Sequence, residues 1–180
     1  MRVVAGQYGG RTLKTLEGKN TRPTGDKVRA AIFSMLGQYF DGGLVLDLYS
    51  GSGGLAIEAI SRGCEKAVLV EKDRQAQQVI QANIEMTKHL ERFSLMKMTS
   101  DKAISLLDKP FDLVFLDPPY AKEQIVKDIE RLEDSGLLSP DVIIVCETDK
   151  SVELPESISN FNLIKQKIYG ISKVSLYEGA

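Results

Sequence analysis

Phe111-Asp112-Leu113-Val114-Phe115-Leu116-Asp117-Pro118-Pro119-Tyr120 is the stretch that decides the fold. Its first six residues, rich in Phe, Leu and Val, read as a buried strand. Two successive prolines end it, because each fixes φ and lacks the N–H that a ladder requires. The chain therefore leaves its sheet at a strand's carboxyl end, the edge where open α/β sheets bind ligands. What stands there is a carboxylate, carbonyls without ladder partners and an aromatic face. An exocyclic amine on a flat base can use all three, whereas a plain proline turn needs neither the Asp before nor the Tyr after.

On both sides of this strand, apolar strands alternate with segments of helical period. Strands are expected at 44–49, 66–71, 93–98 and 142–146, and helices at 55–62, 73–88, 101–107 and 122–134. The 73–88 helix presents Ala76, Val79, Ile80, Asn83, Ile84 and Thr87 on one face. Such alternation predicts βαβ units and a mainly parallel, doubly wound α/β sheet. The two ends depart from it. Residues 162–169 and 173–177, joined across Gly170-Ile171-Ser172, read as an antiparallel pair, and residues 2–7 and 11–16 as a hairpin through Gly9-Gly10. After the Thr21-Arg22-Pro23-Thr24-Gly25-Asp26 loop, Val28, Ala31, Ile32, Met35 and Leu36 mark a helix that Thr24 or Asp26 can cap. Residues 1–40 are thus expected as a small extension on a domain of residues 41–180, the whole forming one compact unit.

A chain of 180 residues without an apolar run near membrane length, and without a signal-like N-terminus, reads as cytoplasmic. Cys64, Cys146 and His89 have no partners at ligand spacing, so no metal site is expected, and His89 reads as a solvated helix-end residue. The net charge of −2 is unevenly spread: residues 1–29 hold seven Lys and Arg against Glu17 and Asp26, making that segment +5 and the remainder −7. An acidic body with a basic arm suits a protein that meets nucleic acid on one face. Arg11, Lys14, Arg22 and Thr24 are the expected contacts to that nucleic acid.

The first core strand runs into Asp47-Leu48-Tyr49-Ser50-Gly51-Ser52-Gly53-Gly54, and Glu71 closes the next strand. Glycines at that turn let a ligand approach the backbone, and an acidic residue about 20 positions on can accept from ribose hydroxyls. Asp47 would repel a pyrophosphate but suits a cationic, amine-bearing nucleoside such as S-adenosylmethionine. Asp101, after the third strand, could accept from an adenine amine or cap a helix.

Together, Asp47, Gly51, Gly53, Glu71 and Asp117-Pro118-Pro119-Tyr120 resemble a class I S-adenosylmethionine-dependent methyltransferase acting on amines. Arg2-Val3-Val4-Ala5-Gly6, Arg22-Pro23-Thr24 with Asp26-Lys27-Val28-Arg29, and Leu46 to Gly53 followed by Ile57-Glu58-Ala59-Ile60-Ser61-Arg62-Gly63 resemble more narrowly the RsmD family of 16S rRNA guanine-N2 methyltransferases. Ala56 and Ser50 stand where the family often has glycine and alanine. The resemblance implies a monomer that methylates 16S rRNA within an assembled small ribosomal subunit. Asp117, Pro118, Pro119 and Tyr120 would be catalytic, and Tyr49, Lys72 and Lys102 would join Asp47, Gly51, Gly53, Glu71 and Asp101 around the cofactor. Rival readings are an adenine-N6 DNA methyltransferase, a protein-glutamine methyltransferase and a binding module without turnover.

Overall fold

The computed structural model describes residues 1–16 and 25–180. Arg22 and Thr24 lie outside the described residues. The chain forms two compact units, Met1–Ser100 and Asp101–Ala180. No helix among the described residues is long and apolar enough to cross a membrane.

In the first unit α1 (Asp26–Leu36) precedes β1 (Leu44–Asp47), α2 (Gly54–Ser61), β2 (Lys66–Val70), α3 (Arg74–Thr87) and β3 (Phe93–Met96). The three strands pair parallel with β2 in the middle, Asp47 opposite Leu69 and Leu69 opposite Leu95. Strands covered on both faces read as continuous apolar runs, as Val45 and Leu46 do. Asp73 caps α3 by accepting from Ala76 N at 2.9 Å, and the helix buries Ala76, Ile80, Asn83, Ile84 and Thr87. α2 buries all its residues except Leu55.

Two N-terminal expectations are corrected. Asp26 does not cap α1 as expected: Gly25 is the N-cap, without a side-chain bond, and Asp26 is the first helical residue. Its Oδ1 instead accepts from Arg2 N at 3.1 Å and from Arg29 Nη2 at 2.7 Å. The expected hairpin shrinks to one antiparallel bridge, Arg2 with Thr12, and bonds such as Val3 N to Arg11 O at 3.0 Å. Other backbone groups of the segment bond to α2. Gln7 N donates to Ser61 O at 2.7 Å and Tyr8 N to Ser61 Oγ at 2.9 Å. Gly6, at φ +86°, lies so close that a Cβ would fall 1.9 Å from Ser61 O, so no side chain fits there.

The segment is locked by Glu58, buried in α2. Its Oε1 accepts from Val4 N at 2.8 Å and Arg29 Nε at 3.3 Å, and its Oε2 from Ala5 N at 3.1 Å and Arg62 Nε at 2.8 Å. Arg29 is therefore no part of a solvated arm: it is fully buried.

The second unit comprises α4 (Ser100–Leu106), β4 (Phe111–Leu116), α5 (Ala121–Asp134), β5 (Leu138–Asp149), β6 (Ser157–Ile158), β7 (Phe161–Tyr169) and β8 (Ser172–Gly179). β4 and β5 pair parallel, while β8, β7 and β6 follow antiparallel, the expected C-terminal pair plus one short strand. β5 is longer than residues 142–146 at both ends. Leu138 already pairs with Phe111 before a register shift that accommodates Pro140, and β8 keeps pairing out to Asp149. α5 buries Ile125, Asp128, Ile129 and Leu132 at helical spacing. Burial pushes the Cys146 thiol far up, which fits a packing role.

Replacing Glu58 by Ala strands two buried guanidinium groups and two backbone N–H groups. We expect a loss of about 3–5 kcal/mol, read as a lowered urea midpoint; a change under about 1 kcal/mol would show that the network does not hold the N-terminal segment.

Candidate functional site

The carboxyl ends of β1 and β2 build one turn. Asp47, 3% exposed, accepts from Ser50 Oγ at 3.2 Å. Ser50 N donates to Val70 O at 3.0 Å and Gly53 N to Ser50 O at 2.9 Å. Gly51 and Gly53 sit at φ +60° and +85°, a region costing other L residues about 1–2 kcal/mol. Gly51 N donates to Glu71 Oε1 at 2.9 Å and Asp73 N to Glu71 Oε2 at 2.8 Å. The Glu71 carboxylate is thereby fixed at both oxygens, each keeping a lone pair for an incoming hydroxyl. A Cβ added at Gly51 would meet nothing within 4 Å, so a ligand can lie against this backbone. Tyr49 donates through its hydroxyl to Ser100 Oγ at 3.2 Å, and Lys72 is exposed.

Asn83 is a site residue that sequence reasoning places merely on the apolar face of a helix. At 2% exposure, it donates from Nδ2 to Ser52 O at 2.8 Å and Lys14 O at 3.0 Å, and accepts at Oδ1 from Lys14 N at 2.8 Å. It ties the glycine turn and the N-terminal segment to α3. The available signal is an amide at a core position, which must find partners when buried.

In the second unit β4 delivers Asp117, half-buried, then Pro118, buried, and Pro119, exposed. Tyr120 is the N-cap residue of α5, and its side chain is mostly in solvent, at 80% exposure. Asp101 lies inside the first turn of α4, so it is not the residue before the helix. Its carboxylate accepts from Arg131 Nη1, and its carbonyl from Arg131 Nη2 at 3.3 Å. Arg131 has no counterpart in the sequence reading because the pair spans 30 residues. Lys102 is exposed, with its carbonyl accepting from Ser105 Oγ at 2.6 Å.

Of the expected RNA contacts, Arg11 and Lys14 are exposed. Arg11 lies 5.4 Å above the Tyr8 ring and donates to Met86 O at 3.3 Å. Burial pushes the Tyr8 hydroxyl up, so it stays protonated at neutral pH; it shares a 2.7 Å hydrogen bond with His89 Nδ1. His89 is thus half-buried and tied to the N-terminal segment, not solvated as expected.

An acceptor-lined glycine turn between parallel strands, with open backbone at Gly51, fits a nucleoside bearing a cation. The fold is that of the class I methyltransferases. The chain belongs to the RsmD family: the model of that family, described as Conserved hypothetical protein 95, matches residues 1–178. It is similar to "Putative rRNA methyltransferase YlbH" of Bacillus subtilis, 40% identical over 99% of this chain and 98% of that protein. It is also similar to ribosomal RNA small subunit methyltransferase D of Escherichia coli, 32% identical over 99% and 89%. Among solved structures, the Escherichia coli protein yhhF superposes with a TM-score of 0.87 at 31% identity, over 99% of this chain and 97% of that one.

Glu71→Ala removes a charged acceptor, a loss of about 1.5–3 kcal/mol in ligand affinity. Calorimetric titration with S-adenosylhomocysteine should show about tenfold or greater weakening. Unchanged affinity in a folded variant would remove Glu71 from the site.

Proposed function

We propose that this chain transfers a methyl group from S-adenosylmethionine to the exocyclic N2 amine of a guanine in 16S rRNA, presented within an assembled small ribosomal subunit. The observation that carries this reading is the end of β4. A carboxylate precedes two prolines there and an aromatic ring at 80% exposure follows them, in a chain that the RsmD family model matches over residues 1–178.

Asp47 and Glu71 would hold the ammonium and ribose ends of the cofactor, with Gly51 and Gly53 giving it access to the backbone. Tyr49, Lys72, Asp101 and Lys102 belong to the same assignment. Bound there, S-adenosylmethionine supplies an electrophilic methyl group on a sulfonium. A guanine amine is a poor nucleophile because its lone pair is delocalised into the ring. Hydrogen bonds from that amine to the Asp117 carboxylate and the Pro118 carbonyl favour a pyramidal nitrogen. The same acceptors stabilise the positive charge that develops on it. Pro119 stiffens the turn, and Tyr120 offers a face for a base taken out of its stack. Arg11, Lys14, Arg22 and Thr24 would meet the RNA backbone. We place the protein in the cytoplasm, as a monomer that needs no metal.

Asp117→Asn turns part of the acceptor into a donor facing the amine. Turnover should fall by orders of magnitude while cofactor affinity stays within about twofold, since the lost interaction is strongest in the transition state. Tyr120→Phe should be mild and Tyr120→Ala severe; equal damage from both would implicate the hydroxyl instead. Full turnover in Asp117→Asn would refute the assignment.

Neutralising Arg11, Lys14 and Arg22 together should weaken RNA binding and flatten its salt dependence by about one unit of log-log slope for each phosphate no longer neutralised. An unchanged slope with a lower melting temperature would make these residues structural.

A further inference from the structure

β7 is a sheet edge for most of its length. β8 pairs with it from Phe161 to Tyr169, but on the other side β6 reaches only Phe161 and Asn162, and Leu163 N donates to Glu156 O at 2.8 Å. Residues 164–169 thus have no strand on their outer side among the described residues. Their outward N–H and C=O groups are left without a ladder partner.

What this edge displays differs from the rest of the body. Residues 163–173 carry three lysines and no acidic residue, within residues 30–180 of net charge −7. Lys165 and Lys167 are exposed, as is Lys150, whose N donates to Ile171 O at 2.8 Å beside the β7–β8 turn. Lys173 is buried and donates to Val152 O at 2.9 Å, so it builds the fold. Three of the eight large apolar side chains left exposed among the described residues lie here too, Ile164 at 40%, Ile168 at 59% and Ile171 at 63%. Lysines alone would guard an edge against pairing. Guarding does not call for isoleucines in water beside them, whereas the two together suit phosphates and the apolar faces of riboses and bases.

The turn also stands at the functional edge of its sheet. β4 and β5 run parallel with Leu116 beside Cys146, and Ser172 pairs with Asp149, three residues further along β5. With strands about 4.8 Å apart and rising about 3.3 Å per residue, the turn at residues 170–171 lies roughly 15 Å from the end of β4. An RNA whose target base is taken out at Asp117 and Pro118 passes there within a few nucleotides.

We propose that the β7 edge and the β7–β8 turn are a docking surface for the substrate RNA, an assignment that rests on the RNA reading above. Lys150, Lys165 and Lys167 neutralise phosphates to one side of the target nucleotide, and Ile168 and Ile171 pack against ribose and base faces. A second copy of the chain is a poor occupant, because pairing two β7 edges brings the same lysines together.

The test combines Lys150→Gln, Lys165→Gln and Lys167→Gln in one variant and the three corresponding Arg changes in another. Binding of each to unmodified small ribosomal subunits is measured against salt. The Gln variant should bind about tenfold or more weakly, with a log-log slope flatter by about two to three units, while the Arg variant matches wild type. In methyl transfer the loss should fall on KM, with kcat within about twofold. Affinity for S-adenosylhomocysteine and melting temperature should not move. Wild-type affinity and slope in the Gln variant, or equal losses in the Gln and Arg variants, overturn the inference. Photo-crosslinking with p-benzoylphenylalanine in place of Ile171 reports the occupant: crosslinks to 16S rRNA are expected, whereas crosslinks only to a ribosomal protein or to a second copy overturn it. If wild type methylates 16S rRNA while the Gln variant is unaffected, this inference alone fails; if wild type neither binds nor methylates the subunits, the RNA reading falls with it.

Discussion

One buried carboxylate organises the N-terminal third of this molecule. Glu58 accepts from two backbone N–H groups near the chain start and from two guanidinium groups, Arg29 of α1 and Arg62 at the end of α2. A lone charge in such a place would cost several kcal/mol of desolvation, and with four donors converging the arrangement is tolerated only when complete. Residues 1–16 and α1 are consequently fixed against α2, the helix that the glycine turn leads into. The exposed Arg11 and Lys14 and the glycine turn thereby share one support.

This support divides the basic N-terminal segment into two functions. Arg29 is spent inside the protein, where its charge balances Glu58 and Asp26. Arg11 and Lys14 stay exposed on a backbone held by Asn83 and by the bonds to Ser61, so their charges are presented from an ordered base. Exposed charges on such a base can meet phosphates with little further ordering, which favours binding. Charge counting along the sequence sees a single surplus of five, whereas burial separates the cation that builds the fold from those that face solvent.

β4 is legible in the sequence at both ends, because five apolar residues interrupted only by Asp112 read as a buried strand and two prolines end it. The glycine turn is legible for a similar reason: positive φ at Gly51 and Gly53 is a local property of residue type. The N-terminal hairpin is misread because turn chemistry at Gly9-Gly10 is satisfied locally while Val4 N and Ala5 N go to Glu58 and Gln7 N and Tyr8 N to Ser61, residues far away in sequence. Asp101 pairing with Arg131, and Asn83 holding Ser52, are invisible for the same reason. Side-chain partners 30 residues apart are chosen by tertiary packing and not by pattern. Pro140 conceals the start of β5, since a proline reads as a strand breaker unless a register shift accommodates it, as it does here.

The most direct test of this account is to incubate unmodified small ribosomal subunits with the protein and methyl-labelled S-adenosylmethionine, digest the RNA to nucleosides, and identify the labelled product by mass spectrometry. The account predicts label in N2-methylguanosine from 16S rRNA, lost with Asp117→Asn. Label in N6-methyladenosine, or none with any RNA although the cofactor binds, would contradict it.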